Sequence, residues 1–249
     1  FLVAGIESPG VVNLLAQIKR TDIEIITYGE SADYSISHIS LQPSQSHARI
    51  TKLGKVLGEL SLSIPGNHNI ENAAAALAVG IKLGAPVADL LVGLSKFSGA
   101  KRRFENRGTV NGVTVIDDYG HHPTEVRVTL ETAKRYAQSG RVIAIFQPHR
   151  YSRTQAFMKE FSTALDIADE VILLEIYAAS EKPIPGVSAE QIASAMQHGQ
   201  FIPNFIEASD WVIDNAKPGD VILTLGAGDV NSLAPIICDG LARRFNSPV

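Results

Sequence analysis

The sequence predicts an α/β fold whose C-terminal part, residues 99–249, is a doubly wound, mostly parallel sheet. Three observations carry this prediction. From residue 112 onward, short apolar runs alternate with stretches of helical period. The runs are nearly continuous in Val, Ile and Leu, as in strands covered on both faces. Polar and titratable residues gather after these runs, whereas the loops before them ("AQSG", "DIAD", "AKPG") are plain.

The elements follow in order. "FLVAG" is a buried-type strand, "SPGVVNLLAQIK" a short helix opened by Ser8 and Pro9, and "IEIITYG" a second strand. "YSISHISL", "ARITKLG" and "GELSLSI" alternate as half-exposed strands do. "PGNHNIENAAAALAVGIKLG" predicts an Ala-rich helix stopped by Gly84, and "PVADLLVGLSKF" a helix entered at Pro86. "SGAKRRFENRG", 98–108, is polar and basic and is expected to be a linker, dividing the chain into domains 1–98 and 99–249. Beyond it come strand "GVTVIDD", helix "PTEVRVTLETAKRYAQ", strand "RVIAIFQ" and a single helix "RTQAFMKEFSTALDIA". Strand "EVILLEI", helix "SAEQIASAMQ" with Ser188 as N-cap, helix "SDWVIDNA", strand "DVILTLG" and helix "VNSLAPIICDGLARRF" complete the series.

Composition narrows the function. Of 249 residues, 45% are hydrophobic and 19% charged, enough for a core. The net charge of -4 argues against a general nucleic-acid binder, and the "KRR" run has no interleaved aromatics. No apolar run approaches the roughly 20 residues that span a bilayer, so no membrane partner is expected. The single Cys238 suits a reducing cytoplasm. The first residues, "FLVAGIESPG", lack Met and already read as a strand, so the chain is expected to be the C-terminal part of a longer protein.

In open parallel sheets, ligands bind beyond the carboxyl ends of the strands. There the sequence places Asp117, Asp118, Tyr119, Gly120, His121 and His122, then His149, Arg150 and Arg153, then Tyr177, then "GAGD", 226–229. Arg150 and Arg153, three apart at a helix start, can grip a carboxylate or phosphate with help from the helix N-terminus, or form a solvated basic turn. Asp118 suits either a ribose hydroxyl pair or a turn carboxylate. His121 can exchange a proton near neutral pH, whereas His122, before Pro123, reads as a helix cap. His68, Asn69 and Asn72 stand at the mouth of the Ala-rich helix, where amide capping competes with ligand binding. Gly226 and Gly228 would let backbone approach a ligand, and Arg103 lies at the inferred hinge. No GxxxxGK[ST] phosphate loop and no metal-ligand spacing is present, so no metal site is expected in this chain.

"NHNIENAAAALAV", "GAKRRFE", "IDDYGHHPTEV", "FQPHRYSRT" and "GAGD", in this order, resemble the Mur ligase family over nearly the whole chain. The resemblance implies the second half of a mixed α/β ATPase domain followed by a Rossmann-like domain, with the phosphate loop, the Mg²⁺ ligands and the UDP-sugar-binding domain upstream. It implies an ATP-dependent ligase of peptidoglycan precursor synthesis that joins L-alanine to UDP-N-acetylmuramate through an acyl phosphate. This chain alone is expected to be inactive. By the same resemblance Asn69 and Asn72 contact adenine, Asp118 the ribose and Arg103 the γ-phosphate, while Tyr119, Gly120, His121, Arg150 and Arg153 form the L-alanine pocket. Arg103 and His121 are the residues expected to act in catalysis. A sister ligase adding a preformed peptide and a non-catalytic ligand-binding module are the alternatives.

Overall fold

A computed structural model describes residues 1–246, and the chain divides into two compact units, Phe1–Ser98 and Gly99–Val249. The first unit is a five-stranded sheet in the order β1-β2-β3-β4-β5, formed by Leu2–Gly5, Ile25–Gly29, Tyr34–Leu41, Ser46–Lys52 and Lys55–Leu62. β1 and β2 run parallel; β3, β4 and β5 are antiparallel neighbours. Helix α1 (Pro9–Gln17) joins β1 to β2, and α2 (Asn67–Lys82) and α3 (Val87–Ser95) follow β5. Along α2, Ile70, Ala73, Ala74, Leu77 and Ala78 are buried at helical spacing against the core of the first unit. Gly84, at φ +90°, takes the left-handed position that ends α2. Its N–H bonds to Ile81 O at 3.0 Å and that of Ala85 to Gly80 O at 3.0 Å, the paired bonds of a Schellman stop.

The second unit is a six-stranded sheet in the order β10-β9-β8-β11-β7-β6. β7 (Val113–Asp118), β8 (Val142–Phe146), β9 (Glu170–Leu173), β10 (Gly199–Phe201) and β11 (Val221–Leu225) are parallel, and β6 (Glu105–Val110) pairs antiparallel at the edge. Successive side chains of a strand point to opposite faces. Val142, Ala144 and Phe146 of β8 enter one core with Val126 and Leu130 of α4 (Pro123–Ala137) and Phe161 of α6 (Met158–Leu165). Ile143 and Ile145 enter the other, with Val212 of α8 (Phe205–Asn215) and Ile237 of α9 (Leu233–Asn246). Helix α7 (Ala189–Ser194) adds Ile192 to the first core. The sheet is thus covered on both faces.

Two expectations need correction, and one strand was not expected. The stretch 98–108 is a linker only as far as Phe104, since Glu105 begins β6. The strand was hidden because an edge strand with one wet face carries charge, and Gly108 marks a bulge against Val115. The single helix expected over 153–168 is two, α5 (Tyr151–Ala156) and α6, broken at Phe157 with φ -127° and ψ 23°. One residue leaving helical dihedrals does not disturb the apolar period that predicted one helix. The three-residue β10 is too short to print a pattern.

Candidate functional site

The carboxyl ends of the parallel strands in the second unit carry four loops that bond directly to one another. Gly226 N–H donates to Asp118 O at 3.1 Å, and Gln147 N–H to Leu225 O at 3.0 Å. Tyr177 N–H donates to Pro148 O at 2.8 Å, and Arg150 N–H to Tyr177 O at 2.8 Å. The Gln147 side chain, 4% exposed, donates to Asp229 Oδ1 at 2.8 Å and accepts from Val230 N–H at 3.1 Å. This explains the "GAGD" glycines differently from the sequence reading. A Cβ on Gly228 would collide with Gln147 Oε1 and stand 2.9 Å from Tyr177 Cγ, and one on Gly226, at φ +146°, would stand 2.7 Å from Gln147 O. These glycines make room for the chain's own loops. Gly228→Ala is expected to push Gln147 and Tyr177 apart and lower stability by about 1–3 kcal/mol. Chemical unfolding checks this, and an unchanged midpoint would refute it.

The 102–104 turn is drawn onto this edge by two buried carboxylates. Arg102, at φ +57°, donates from Nε to Asp117 Oδ2 at 3.2 Å and from Nη2 to Gly226 O at 2.6 Å, and its guanidinium lies 4.9 Å over the Tyr119 ring. Thr224 Oγ1 donates to the other oxygen of Asp117 at 2.7 Å. Asp118, 5% exposed, accepts from Phe104 N–H at 2.8 Å, Gly120 N–H at 2.7 Å and Thr129 Oγ1 at 3.2 Å. Burial pushes its carboxyl up from the ordinary range, against the pull of those donors and of Arg103. Its turn-carboxylate role is therefore filled from within the chain. Arg103 is exposed, 5.7 Å over Tyr119, and meets Glu125 only at 3.9 Å. Sequence reasoning singled out Arg103 and passed over its neighbour Arg102, because nothing in a dipeptide of like residues says which one is anchored.

His122 caps the helix as expected. His122 Nδ1 accepts from Thr124 N–H at 3.3 Å as the N-cap of α4, and its ring packs edge-on to Phe157 at 4.9 Å. Glu125 accepts the N–H groups of His121 and His122 at 2.9 and 3.2 Å. Burial raises the Glu125 carboxyl, but these bonds, His121 and Arg103 outweigh it and leave it below the usual range. His121 Nδ1 lies 3.0 Å from Tyr119 O. A carbonyl only accepts, so Nδ1 carries a proton, and it also lies 3.5 Å from Glu125 Oε2.

The third loop holds His149, Arg150 and Arg153. Arg150, exposed, has φ +74° and ψ 136°, a strained backbone for a side-chain-bearing residue. It is held by the Tyr177 bond and by Thr154, which donates N–H and Oγ1 to Arg150 O at 3.1 and 2.8 Å. Arg153 is half-buried, with Nη1 3.3 Å from His149 Nδ1. Among the described residues, no salt bridge includes Arg150 or Arg153. The expected help from the helix start is a correction: Glu181 already occupies it, accepting Ser152 N–H at 2.9 Å and Ser152 Oγ at 2.6 Å. An incoming anion therefore relies on the two guanidiniums. Glu181 left no signal in the sequence, and Tyr177 showed only its place after a strand.

In the first unit Asn69 Nδ2 donates to Pro65 O at 2.7 Å, which ties it to the preceding loop rather than capping the N–H groups of α2, and Asn72 is exposed one turn further on. Among the described residues, no group of three His, Cys, Asp or Glu could hold a metal ion. No helix among them is long and apolar enough to cross a membrane.

Comparison with known proteins matches residues 1–80 to the Mur ligase middle domain and residues 102–228 to the Mur ligase glutamate ligase domain. The chain is 41% identical over 252 residues to a UDP-N-acetylmuramate–L-alanine ligase of Acidothermus cellulolyticus, covering 98% of this chain and 53% of the relative. It is 45% identical over 218 residues to the enzyme of that name from Desulforamulus reducens, covering 84% and 47%. The crystal structure of a UDP-N-acetylmuramate-alanine ligase from Thermotoga maritima superimposes with a TM-score of 0.73 at 30% identity, over 86% of this chain and 47% of that one. The chain spans about half the length of the curated relatives it matches.

Proposed function

Because the chain belongs to the Mur ligase family, we propose that it is the amino-acid-binding part of an ATP-dependent ligase joining L-alanine to UDP-N-acetylmuramate in peptidoglycan precursor synthesis. The carrying observation is the pair Arg150 and Arg153, two cations without a carboxylate partner within 4.0 Å among the described residues, in the loop whose His149 ring lies 5.9 Å from that of His121. That set suits a small zwitterion: guanidiniums take its carboxylate and the imidazole takes a proton from its amine. Tyr119 and Gly120, in the loop of His121, are assigned to the same pocket.

In the proposed reaction a carboxylate oxygen of the sugar's lactyl group attacks the γ-phosphorus of ATP, and ADP leaves. The amine nitrogen of alanine then attacks the acyl carbon. The ammonium of alanine gives one proton to His121 Nε2, the C–N bond forms, the C–O bond to phosphate breaks, and the departing phosphate takes the second proton. Arg103, exposed and weakly paired, is the group we assign to the γ-phosphate; Asn69 and Asn72 are assigned to adenine and Asp118 to the ribose. Residues 1–98 would then belong to the ATP-binding domain and 99–249 to the amino-acid domain, working in the cytoplasm where ATP is supplied. Magnesium would neutralise phosphate charge when bound; among the described residues no group of three His, Cys, Asp or Glu could hold it.

The test supplies the full-length protein with labelled L-alanine, UDP-N-acetylmuramate, ATP and Mg²⁺. One labelled amide per ADP is expected, and His121→Gln is expected to lower kcat about a hundredfold, the scale of general-base catalysis. Alanine binding without ADP formation would mark a binding module. A preference for a preformed peptide over alanine would mark a sister ligase.

A further inference from the structure

His149 stands between two partners that fix it from different sides. Its ring stacks on Tyr177, with centroids 5.4 Å apart and planes 11° apart. Its Nδ1 lies 3.3 Å from Arg153 Nη1. A guanidinium only donates, so this nitrogen is bare and the ring proton sits on Nε2. The ring of His121, 5.9 Å away, has its Nδ1 3.0 Å from the carbonyl of Tyr119. Tyr177 in turn is locked by backbone bonds to Pro148 O and from Arg150 N–H, both 2.8 Å.

We propose that His149 is a positioning residue of the amino-acid pocket: its bare Nδ1 accepts from Arg153 and sets the direction of that guanidinium, while Tyr177 backs the ring. This rests on the amino-acid reading given above. An Arg left without such an acceptor has several rotamers to choose from, and holding one of them in advance lowers the cost of binding. The surroundings keep the imidazole neutral. Burial lowers its pKa from the ordinary value, Arg153, His121 and Arg150 lower it further, and only Glu181 opposes them. As pH falls through the His149 midpoint, Nδ1 gains a proton, cannot accept, and repels Arg153, so amino-acid affinity falls on the acid side.

Two variants separate the parts. His149→Phe keeps a ring for Tyr177 and removes the acceptor; His149→Asn keeps an acceptor near Nδ1 and removes the stack. In the full-length protein His149→Phe is expected to raise the KM for L-alanine about tenfold with kcat within about twofold, the worth of one charge-assisted bond. His149→Asn is expected to restore most of that loss. Nitrogen-15 histidine spectra, which need no substrate, are expected to show a bare Nδ1 on His149 and a midpoint below the ordinary value that rises in Arg153→Met. A protonated Nδ1 at neutral pH, a midpoint unmoved by Arg153→Met, or a KM unmoved by His149→Phe would each overturn the proposal. If wild type shows no dependence on alanine, the functional reading fails, and the spectra alone still decide whether His149 aims Arg153.

Discussion

Arg150→Ala and Arg153→Ala are each expected to raise the KM for L-alanine about ten- to a hundredfold, since each removes a charge-assisted bond worth about 1.5–3 kcal/mol. The carboxylate of alanine is bound alike before and during reaction. The loss should therefore fall on KM, with kcat changed only a few-fold. The two substitutions share one anion, so the double variant should lose less than the product of the singles. Steady-state kinetics at saturating ATP and UDP-N-acetylmuramate checks this, and an unchanged KM in both variants would remove the arginines from the pocket. Backbone strain offers a control. Arg150 holds φ +74°, which glycine adopts freely, so Arg150→Gly should raise KM like Arg150→Ala without lowering stability.

Asp118→Ala is expected to be the most destabilising single change at this edge, by about 3 kcal/mol or more, because three donors lose their acceptor at once. Phe104 N–H, Gly120 N–H and Thr129 Oγ1 would stand buried and unpaired, and with them go the links from β7 to the 102–104 turn and to α4. Asp118→Asn keeps one acceptor oxygen and places an NH₂ where a donor already points, so an intermediate loss is expected. Urea midpoints measure both, and a midpoint within error of wild type for Asp118→Ala would contradict the buried-staple account. The ribose assignment is tested alongside. If Asp118→Asn is less stable yet keeps the wild-type KM for ATP, Asp118 only shapes the loop and the ribose binds elsewhere.

The features of this edge differ in how far the sequence reveals them. The strands "VILTL" and "VIAIF" were legible because burial on both faces leaves them almost wholly apolar, with Thr224 the one polar residue, and such a run has few other readings. The placing of chemistry after the strands follows from a parallel sheet alone, and His122 was readable as a cap from its place before Pro123. What stayed hidden depends on contacts distant in sequence or on single dihedrals. Glu181 reaches Ser152 across 29 positions, and no local pattern joins them. Arg102 and Arg103 are adjacent and alike, and only the left-handed turn at Arg102 decides which is pinned to Asp117. The packing role of Gly228 is set by Gln147 and Tyr177 in other loops, which no local pattern reveals.

The central claim is that Arg150 and Arg153 recognise the carboxylate of a small amino acid. Its most direct test compares L-alanine with L-alaninamide, which keeps the amine and methyl but lacks the negative charge, in wild-type and Arg150→Ala full-length protein. Wild type is expected to prefer alanine by about a hundredfold or more in kcat/KM, a site built for a charge rejecting a ligand without one. The preference is expected to collapse in the variant. Equal use of alaninamide and alanine by wild type, or an undiminished preference in Arg150→Ala, would contradict it.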